Sequence, residues 1–179
     1  MAKISGNFGS GQTSNGVVEI LSPLAGVWRR PIEWGGTSSL GSDGVSVTFT
    51  NTNLPEEGQV VEVGTDGTAD HCAALTGTET DLLRKASLGL VWTGKDQHDS
   101  GAVNTFTMID GSNFLFDVSA GRVGSTLAAG KRALWDRVNK KFESTDNASG
   151  ATSMYNIGVV EQIGIARGGQ TFARIKWTR

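Results

Sequence analysis

Three adjacent residues, Asp70, His71 and Cys72, are of types that can perform nucleophilic chemistry. A thiol supported by an imidazole and a carboxylate is the usual arrangement for an activated cysteine. Adjacent residues on a strand point to opposite faces, however, and a catalytic triad needs its members to converge in space. A small buried cysteine is therefore the favoured interpretation of Cys72, and a hydrolase built on it is the alternative.

A second set of candidate groups, Asp96, His98 and Asp99, lies in the segment KDQHDS and could hold a cation. The chain has only 2 histidines, and the oxygen ligands near this segment are too few for a closed cation site. The chain also contains no G-x-S-x-G, Walker A or H-E-x-x-H motif. The sequence therefore predicts no catalytic residue, no metal and no cofactor.

Tryptophans and a basic cluster are the remaining candidates for ligand binding. Trp28 and Trp34 lie in a segment without regular periodicity, which makes them the candidate contact aromatics, as in a carbohydrate-binding module. The basic cluster RVNKKF at 137–142 lacks the aromatic and glycine pattern of an RNA-binding sheet. A solvated strand face is the favoured interpretation, and no direct nucleic-acid partner is expected.

The elements that must position these residues are predicted to be β-strands. Glycine accounts for 25 of 179 residues, and short alternating segments such as VSVTFT at 45–50 are separated by turn residues. The predicted fold is all-β: a small barrel or sandwich of short antiparallel strands, with an extended N-terminal arm and one short inserted helix. That helix is expected at about 79–88, where TGTETDLLRKASLG offers two alternative capping boxes.

Turn chemistry predicts two hairpins in the second half of the chain. The Asp-Gly pair at 110–111 lies between the apolar segments 103–109 and 113–118. Asp-Gly supplies the positive φ angles that tight hairpins require. The sequence RGG separates a strand at 155–166 from a last strand at 170–177 in the same way.

Composition divides the chain into an arm at 1–16, an acidic region at 17–112 and a basic region at 113–179. The arm holds four glycines and few apolar side chains, so it is expected to be flexible unless a partner orders it. Residues 1–112 carry 6 Lys and Arg against 13 Asp and Glu, whereas 113–179 carry 10 against 5. The two regions are expected to face each other, within one subunit or between subunits, and to form one compact unit.

The cellular setting is predicted from what the chain contains. The single cysteine fits a reducing compartment, and the first residues do not have the apolar centre of a signal peptide. No segment has the 18 or so consecutive apolar residues that a membrane-spanning helix needs. We therefore expect a protein made in the cytosol, without a membrane partner.

The segments AGKRALWD, NKKFEST, IGVVEQ and GGQTFARIKW resemble the C-terminal part of a family of small capsid decoration (cement) proteins of tailed phages. The resemblance lies mainly in residues 115–177. In that family a glycine opens a strand that ends in an aromatic residue, Trp and Asp, and an Ile-Gly-Val strand follows after a second strand. The residues that match are Gly130, Trp135, Asp136, Phe142, Ile157, Gly158 and Val159.

The resemblance implies a virion protein without catalytic activity that binds the outside of the expanded phage head. It implies a homotrimer that bridges neighbouring major capsid proteins, assembled in the host cytoplasm. We expect the arm to bind the shell by adding a strand to an exposed sheet edge, with Ile4, Phe8, Gly9 and Gly11 as contacts. The alternatives are a β-rich tail or fibre-base protein and the carbohydrate-binding module.

Within the matched region the residues themselves predict structural roles. Trp135 and Phe142, on neighbouring strands, are expected to close the end of a small barrel. Leu134 is expected to face the opposite way, and Asp136 to cap the turn that follows.

Overall fold

The computed structural model describes the backbone of four segments in the first part of the chain: 18–22, 28–33, 38–40 and 47–49. It describes backbone and side chains at 55–64, 68–72, 87–92, 107–111, 113–145 and 154–179, and the backbone alone at 93 and 105–106. These residues form antiparallel β-strands, numbered here in chain order, and one 3₁₀ turn at Ala120–Arg122.

The larger sheet, called the first sheet, has six antiparallel strands. In spatial order they are β1 (Val18–Ser22), β9 (Phe114–Ser119), β13 (Gln170–Trp177), β12 (Met154–Arg167), β10 (Arg132–Asp136) and β11 (Lys141–Glu143). Strand β1 comes from the acidic region of the sequence and pairs with β9 of the basic region. The change in charge along the chain therefore does not coincide with a change of sheet.

The second sheet has five antiparallel strands. In spatial order they are β2 (Trp28–Glu33), β8 (Thr105–Asp110), β7 (Ser87–Thr93), β5 (Val60–Val63) and β6 (Ala69–His71). A separate pair is formed by β3 (Ser38–Leu40) and β4 (Val47–Phe49).

The core of the protein contains side chains from both sheets. The first sheet contributes Phe114, Phe116, Val118, Trp135, Tyr155, Ile157, Ala173, Ile175 and Trp177, and the second contributes Val60, Leu88, Leu90, Trp92 and Ile109. The inward residues of β9 and β13 are spaced by two, which is the strand period read from the sequence. Each fully buried large apolar side chain contributes about 1.5–3 kcal/mol, so this shared core is the main source of stability.

The second sheet is also apolar on its other face. Val61, Ala69, Val91 and Met108 form a separate buried cluster there. Because Val60 and Val61 are consecutive in β5, they point to opposite faces, and both are fully buried. The first sheet differs, since its face away from the core carries charged residues.

The all-β prediction is confirmed, with the sandwich as the arrangement found. Among the described residues neither sheet closes on itself: the first ends at β1 and β11, and the second at β2 and β6. Of the two predicted arrangements, barrel or sandwich, the described residues therefore form the sandwich and no closed barrel.

The hairpin expected around Asp110-Gly111 is wrong. Strand β8 precedes these residues and β9 follows them, but β8 pairs with β2 and β7 in the second sheet, and β9 pairs with β1 and β13 in the first. Gly111 has φ of 117° and Asn113 has φ of 61°. The positive φ angles are therefore used to lead the chain from one sheet to the other.

The hairpin expected around RGG is confirmed. Gly168 and Gly169 join β12 to β13 in a two-residue turn, with φ angles of 55° and 78°. Two consecutive positive φ angles are what a tight turn matched to strand twist requires. Of the helix expected at 79–88, residues 87 and 88 lie in β7 and the others lie outside the described residues.

Candidate interaction surface

Trp135 is a core residue of the first sheet and is 2% exposed. It lies opposite Phe142 across β10 and β11, with the two ring centroids 5.0 Å apart, and opposite Tyr155 across β10 and β12. Leu134 is also buried but does not belong to the shared core, as expected for a side chain on the other face. Trp135 therefore cannot act as an exposed platform for a ligand.

Asp136 organises the turn between β10 and β11. Its Oδ1 accepts hydrogen bonds from the backbone N–H groups of Val138 (2.8 Å) and Asn139 (3.1 Å), and its Oδ2 accepts one from the Asn139 side-chain amide (2.7 Å). The carboxylate is 1% exposed, so these donors replace the water it would otherwise bind. The turn also needs a positive φ of 55° at Lys140.

Glycine is needed at each of the two glycine positions of the matched motif, but for a different physical reason. Gly130 has φ of 75°, and its N–H donates a hydrogen bond to the Val160 carbonyl (2.7 Å), so the chain turns there into β10. At Gly158 a Cβ atom would lie 1.9 Å from the carbonyl oxygen of Lys176. Glycine at this position therefore allows β12 and β13 to approach each other closely.

Asp117 is a fully buried carboxylate held by two arginines of the β12–β13 hairpin. Arg174 donates from Nε to Oδ1 (2.9 Å) and from Nη2 to Oδ2 (3.1 Å), and the Nη2 of Arg167 also contacts Oδ2. The Arg167 guanidinium lies 4.7 Å from the centroid of the Phe172 ring. These contacts fix the hairpin to β9.

The β12–β13 hairpin extends beyond the strand that flanks it. Strand β10 pairs with β12 only as far as Val159. The remainder of β12 pairs with β13 on one side, and among the described strands none lies on its other side. From Glu161 to Gly164 every side chain is exposed, including the apolar Ile163 at 46%. Two one-residue register shifts occur in this part of β12, and Gly164 has a positive φ of 72°. Such bulges hinder the pairing of a further strand with the backbone edge of β12. A partner would therefore contact this hairpin through its exposed side chains.

A row of basic and apolar residues crosses the outward face of the first sheet. In register across four strands the row consists of Arg132, Val159, Lys176 and Leu115. Val159 is 41% exposed, and Arg132 is exposed as well. We refer to Arg132, Val159 and Lys176 as the basic row.

Cys72 is a free, buried thiol at the end of β6. It lies 3.5 Å from the backbone carbonyl oxygen of Val60, to which it donates, and it packs in the shared core. Asp70 is exposed, and its Oδ1 accepts a hydrogen bond from the backbone N–H of His71 (2.6 Å). The carboxylate is therefore not directed at the thiol, and the favoured interpretation of Cys72 agrees with its burial.

Several predicted site residues lie outside the described residues. They are the arm residues Ile4, Phe8, Gly9 and Gly11, the contact aromatic Trp34, and the cation candidates Asp96, His98 and Asp99. Trp28 lies in β2, where the backbone alone is described. Among the residues whose side chains are described, no three His, Cys, Asp or Glu residues are grouped so that they could hold a metal ion. None of the helical residues described is part of a segment long and apolar enough to cross a membrane.

Comparison of the chain with models of protein families, with curated proteins and with solved structures gives no match. The assignment of a role therefore depends on the residues and their geometry.

The sequence did not indicate that the hairpin extends past its neighbours. Glu161, Ile163 and Ile165 alternate with polar or small residues, which is also the pattern of a half-buried strand. A usable signal was the unequal length of the strands, since β12 has 14 residues and β10 has 5. The burial of Asp117 was not indicated by any local pattern.

Proposed function

We propose that this protein is a decoration protein of a tailed-phage capsid that binds the outside of the expanded head and bridges major capsid proteins. The observation that carries the proposal is that the residues of the sequence resemblance form one contiguous unit. Trp135, Asp136, Phe142 and Gly158 lie on β10, β11 or β12, and Gly130 lies in the turn that leads into β10. Each of these residues has a structural role in that unit, so the resemblance covers a whole supersecondary element.

The exposed features of this unit suit a binding role. The hairpin that follows Val160 is fixed to the sandwich by Asp117 and its two arginines, yet its own side chains from Glu161 to Gly164 are exposed. A rigid element of this kind loses little conformational entropy when it binds. The proposed role requires no catalysis, cofactor or metal.

The stabilisation of a shell by such a protein would come from repetition. A specific protein–protein interface buries on the order of 1,600 Å². When one subunit contacts two neighbouring capsid proteins, the second contact forms at a high effective concentration, provided that the lattice has the right spacing. This dependence on spacing gives a physical reason for preferring the expanded shell.

The arm at residues 1–16 is the part proposed to bind the capsid protein, by pairing as a strand with a sheet edge of the shell. An ordering cost is paid when such a segment binds, so its affinity depends on a correctly placed edge. Deletion of residues 2–16 removes no residue of β1, which begins at Val18. We expect the shortened protein to keep its melting temperature and to lose binding to shells.

A double substitution tests whether the apolar side chains of the arm, and not only its presence, are needed for binding. Replacement of Ile4 and Phe8 by serine should weaken shell binding at least about tenfold, because the two large apolar side chains of the arm are lost. The control is replacement of Ser5 and Ser10 by alanine, which should bind like the wild type. Unchanged binding by the shortened protein would reject the role of the arm, and absence of wild-type binding to any shell would reject the proposed function.

A further inference from the structure

The first sheet has two ends, and each end carries one of its turns. Strand β12 runs from Met154, which lies opposite Asp136 of β10, to Arg167, which lies opposite Gln170 of β13. The turn between β10 and β11 therefore lies at one end of the sheet, and the turn between β12 and β13 lies at the other. We refer to them as the β10–β11 end and the hairpin end.

The β10–β11 end is densely charged. Three of the five residues at 137–141 are basic, namely Arg137, Lys140 and Lys141, and Lys140 is exposed. Lysine is depleted from the buried centres of protein–protein contacts, because its ammonium group is strongly hydrated. This end of the sheet is therefore suited to remain in the solvent.

The hairpin end is nearly uncharged. Residues 161–171 include two charged residues, Glu161 and Arg167, and the charge of Arg167 is compensated by Asp117. The other exposed residues of this segment are glycine, alanine, threonine, glutamine and isoleucine. Such a surface has the low charge of the centre of a protein contact. It does not supply the cations that a nucleic acid or an acidic lipid surface would require.

Ile163 is the apolar centre of the hairpin end. Among the residues whose side chains are described, three large apolar side chains are exposed: Val138, Val159 and Ile163. Val138 lies in the basic turn at 137–141, and Val159 lies between the two cations of the basic row. Ile163 instead lies in the second register shift of β12, next to the positive φ of Gly164. Bulges re-aim side chains, so the exposure of Ile163 is built into the backbone.

The arm at residues 1–16 joins the sheet at the hairpin end. Strand β1 begins at Val18, which lies opposite Val118, the last but one residue of β9. Ser119, the last residue of β9, lies opposite Phe172, the third residue of β13 after the hairpin turn. The segment proposed to bind the shell is therefore connected to the hairpin end and not to the β10–β11 end.

We propose that the hairpin end binds the shell, with Ile163 in contact with a weakly charged, apolar site of a major capsid protein, and that the β10–β11 end faces the solvent. The inference rests on the proposed function, because the partner is the capsid protein, and it adds the contact surface and the orientation of the subunit. An extended segment of 16 residues spans about 50 Å. The hairpin and the arm can therefore bind different capsid proteins from one end of the subunit, which is the geometry that bridging requires.

The first test compares single variants of the 179-residue chain for binding to expanded shells, measured by co-sedimentation. Ile163→Glu should weaken binding by about tenfold or more, because a carboxylate is then placed in an apolar contact. Ile163→Val keeps an apolar side chain and should bind within about threefold of the wild type. The matched control is Val138→Glu, the same replacement of an exposed aliphatic side chain at the opposite end, and it should bind like the wild type.

Labelling of single introduced cysteines maps the contact independently of affinity. Cys72 is buried, so the wild type should react little with a maleimide. Thr171→Cys at the hairpin end should react readily in the free protein and slowly on shells. Lys140→Cys at the β10–β11 end should react equally in both states. Circular dichroism and the melting temperature of each variant establish that its fold is unchanged.

Two results would overturn the inference while the wild type still binds shells: normal binding by Ile163→Glu, or equal reaction of Thr171→Cys on shells and in solution. An equal loss of binding by Val138→Glu, or protection of Lys140→Cys, would overturn the orientation. Self-association of the wild type, or binding to DNA, that Ile163→Glu abolishes would assign the hairpin end to another partner and overturn the inference as well. Absence of wild-type binding to any shell would reject the proposed function, and the inference with it.

Discussion

Gly158 is the residue of the matched motif whose replacement tests the account of the fold most sharply. A Cβ atom at this position would lie 1.9 Å from the carbonyl oxygen of Lys176, 3.0 Å from the carbonyl carbon of the same residue and 3.1 Å from the nitrogen of Thr178. All three atoms belong to the backbone, so no side-chain rotation can relieve the contact. In Gly158→Ala the strands β12 and β13 must therefore separate locally.

The expected cost follows from two contributions. Forcing an extra carbon into a packed site typically costs about 1–3 kcal/mol. The separation also strains the hydrogen bond from the Thr178 N–H to the Ile157 carbonyl (3.0 Å), and the loss of such a bond costs about 0.5–1.5 kcal/mol. Reduced freedom of the unfolded chain offsets about 0.4–1 kcal/mol. The net change in the free energy of unfolding is about 2–3 kcal/mol, which lowers the melting temperature of a protein of this size by about 4–12 °C.

The assay is thermal unfolding of Gly158→Ala followed by circular dichroism, together with urea unfolding. Gly121→Ala is the matched control, because its new Cβ atom would have only one neighbour within 4 Å, the Ser119 hydroxyl at 3.9 Å. The free energy of unfolding of the control should lie within about 0.5 kcal/mol of that of the wild type. Equal melting temperatures for the two variants would refute the close approach of β12 and β13.

Three further substitutions test the buried carboxylates and their contacts, and a fourth tests the turn into β10. Asp136→Ala removes the acceptor of three hydrogen bonds in the turn after β10, and the free energy of unfolding should fall by about 2 kcal/mol in urea titrations; a change below measurement error would contradict the capping role. Asp117→Asn leaves two guanidinium groups without their carboxylate. Because the two arginine side chains are 26% and 29% exposed, we expect the free energy of unfolding to fall by about 2 kcal/mol. This is less than the about 3–5 kcal/mol lost when a fully buried pair is broken. Arg174→Lys, which keeps the charge but not the two-point contact, should lose less stability than Asp117→Asn, and the absence of any loss would refute the bidentate geometry. Gly130→Ala introduces no contact within 4 Å but has to adopt φ of 75°, so it should lose about 1–2 kcal/mol, measured by thermal unfolding; no loss would indicate that the turn tolerates another backbone conformation.

The contrast between the two expected hairpins shows how far turn chemistry can be read from sequence. Gly168 and Gly169 join consecutive strands of one sheet, whereas Asp110 and Gly111 join strands of different sheets. Both turns use positive φ angles. Local residue preference determines the conformation of a turn, but the partner of each strand depends on which apolar faces can be buried together.

The same distinction applies to the candidate interaction surface. Capping by Asp136 depends on residues two and three positions away, so the sequence was sufficient to predict it. The need for glycine at 158 depends on Lys176, which is far away in the chain, and became visible only with the approach of β13. The exposure of Ile163 depends likewise on where β10 ends beside β12.

The measurement that tests the proposed function most directly is co-sedimentation of the purified 179-residue chain with tailed-phage shells, unexpanded and expanded, from the phage in whose genome its gene would lie under the proposal. The account predicts saturable binding to expanded shells and little binding to unexpanded ones, since the bridged sites reach the required spacing only after expansion. Expanded shells carrying the protein should also resist heating to a higher temperature than bare shells. Absence of binding to either shell would contradict the account, and binding to purified tails would instead favour a tail or fibre-base protein.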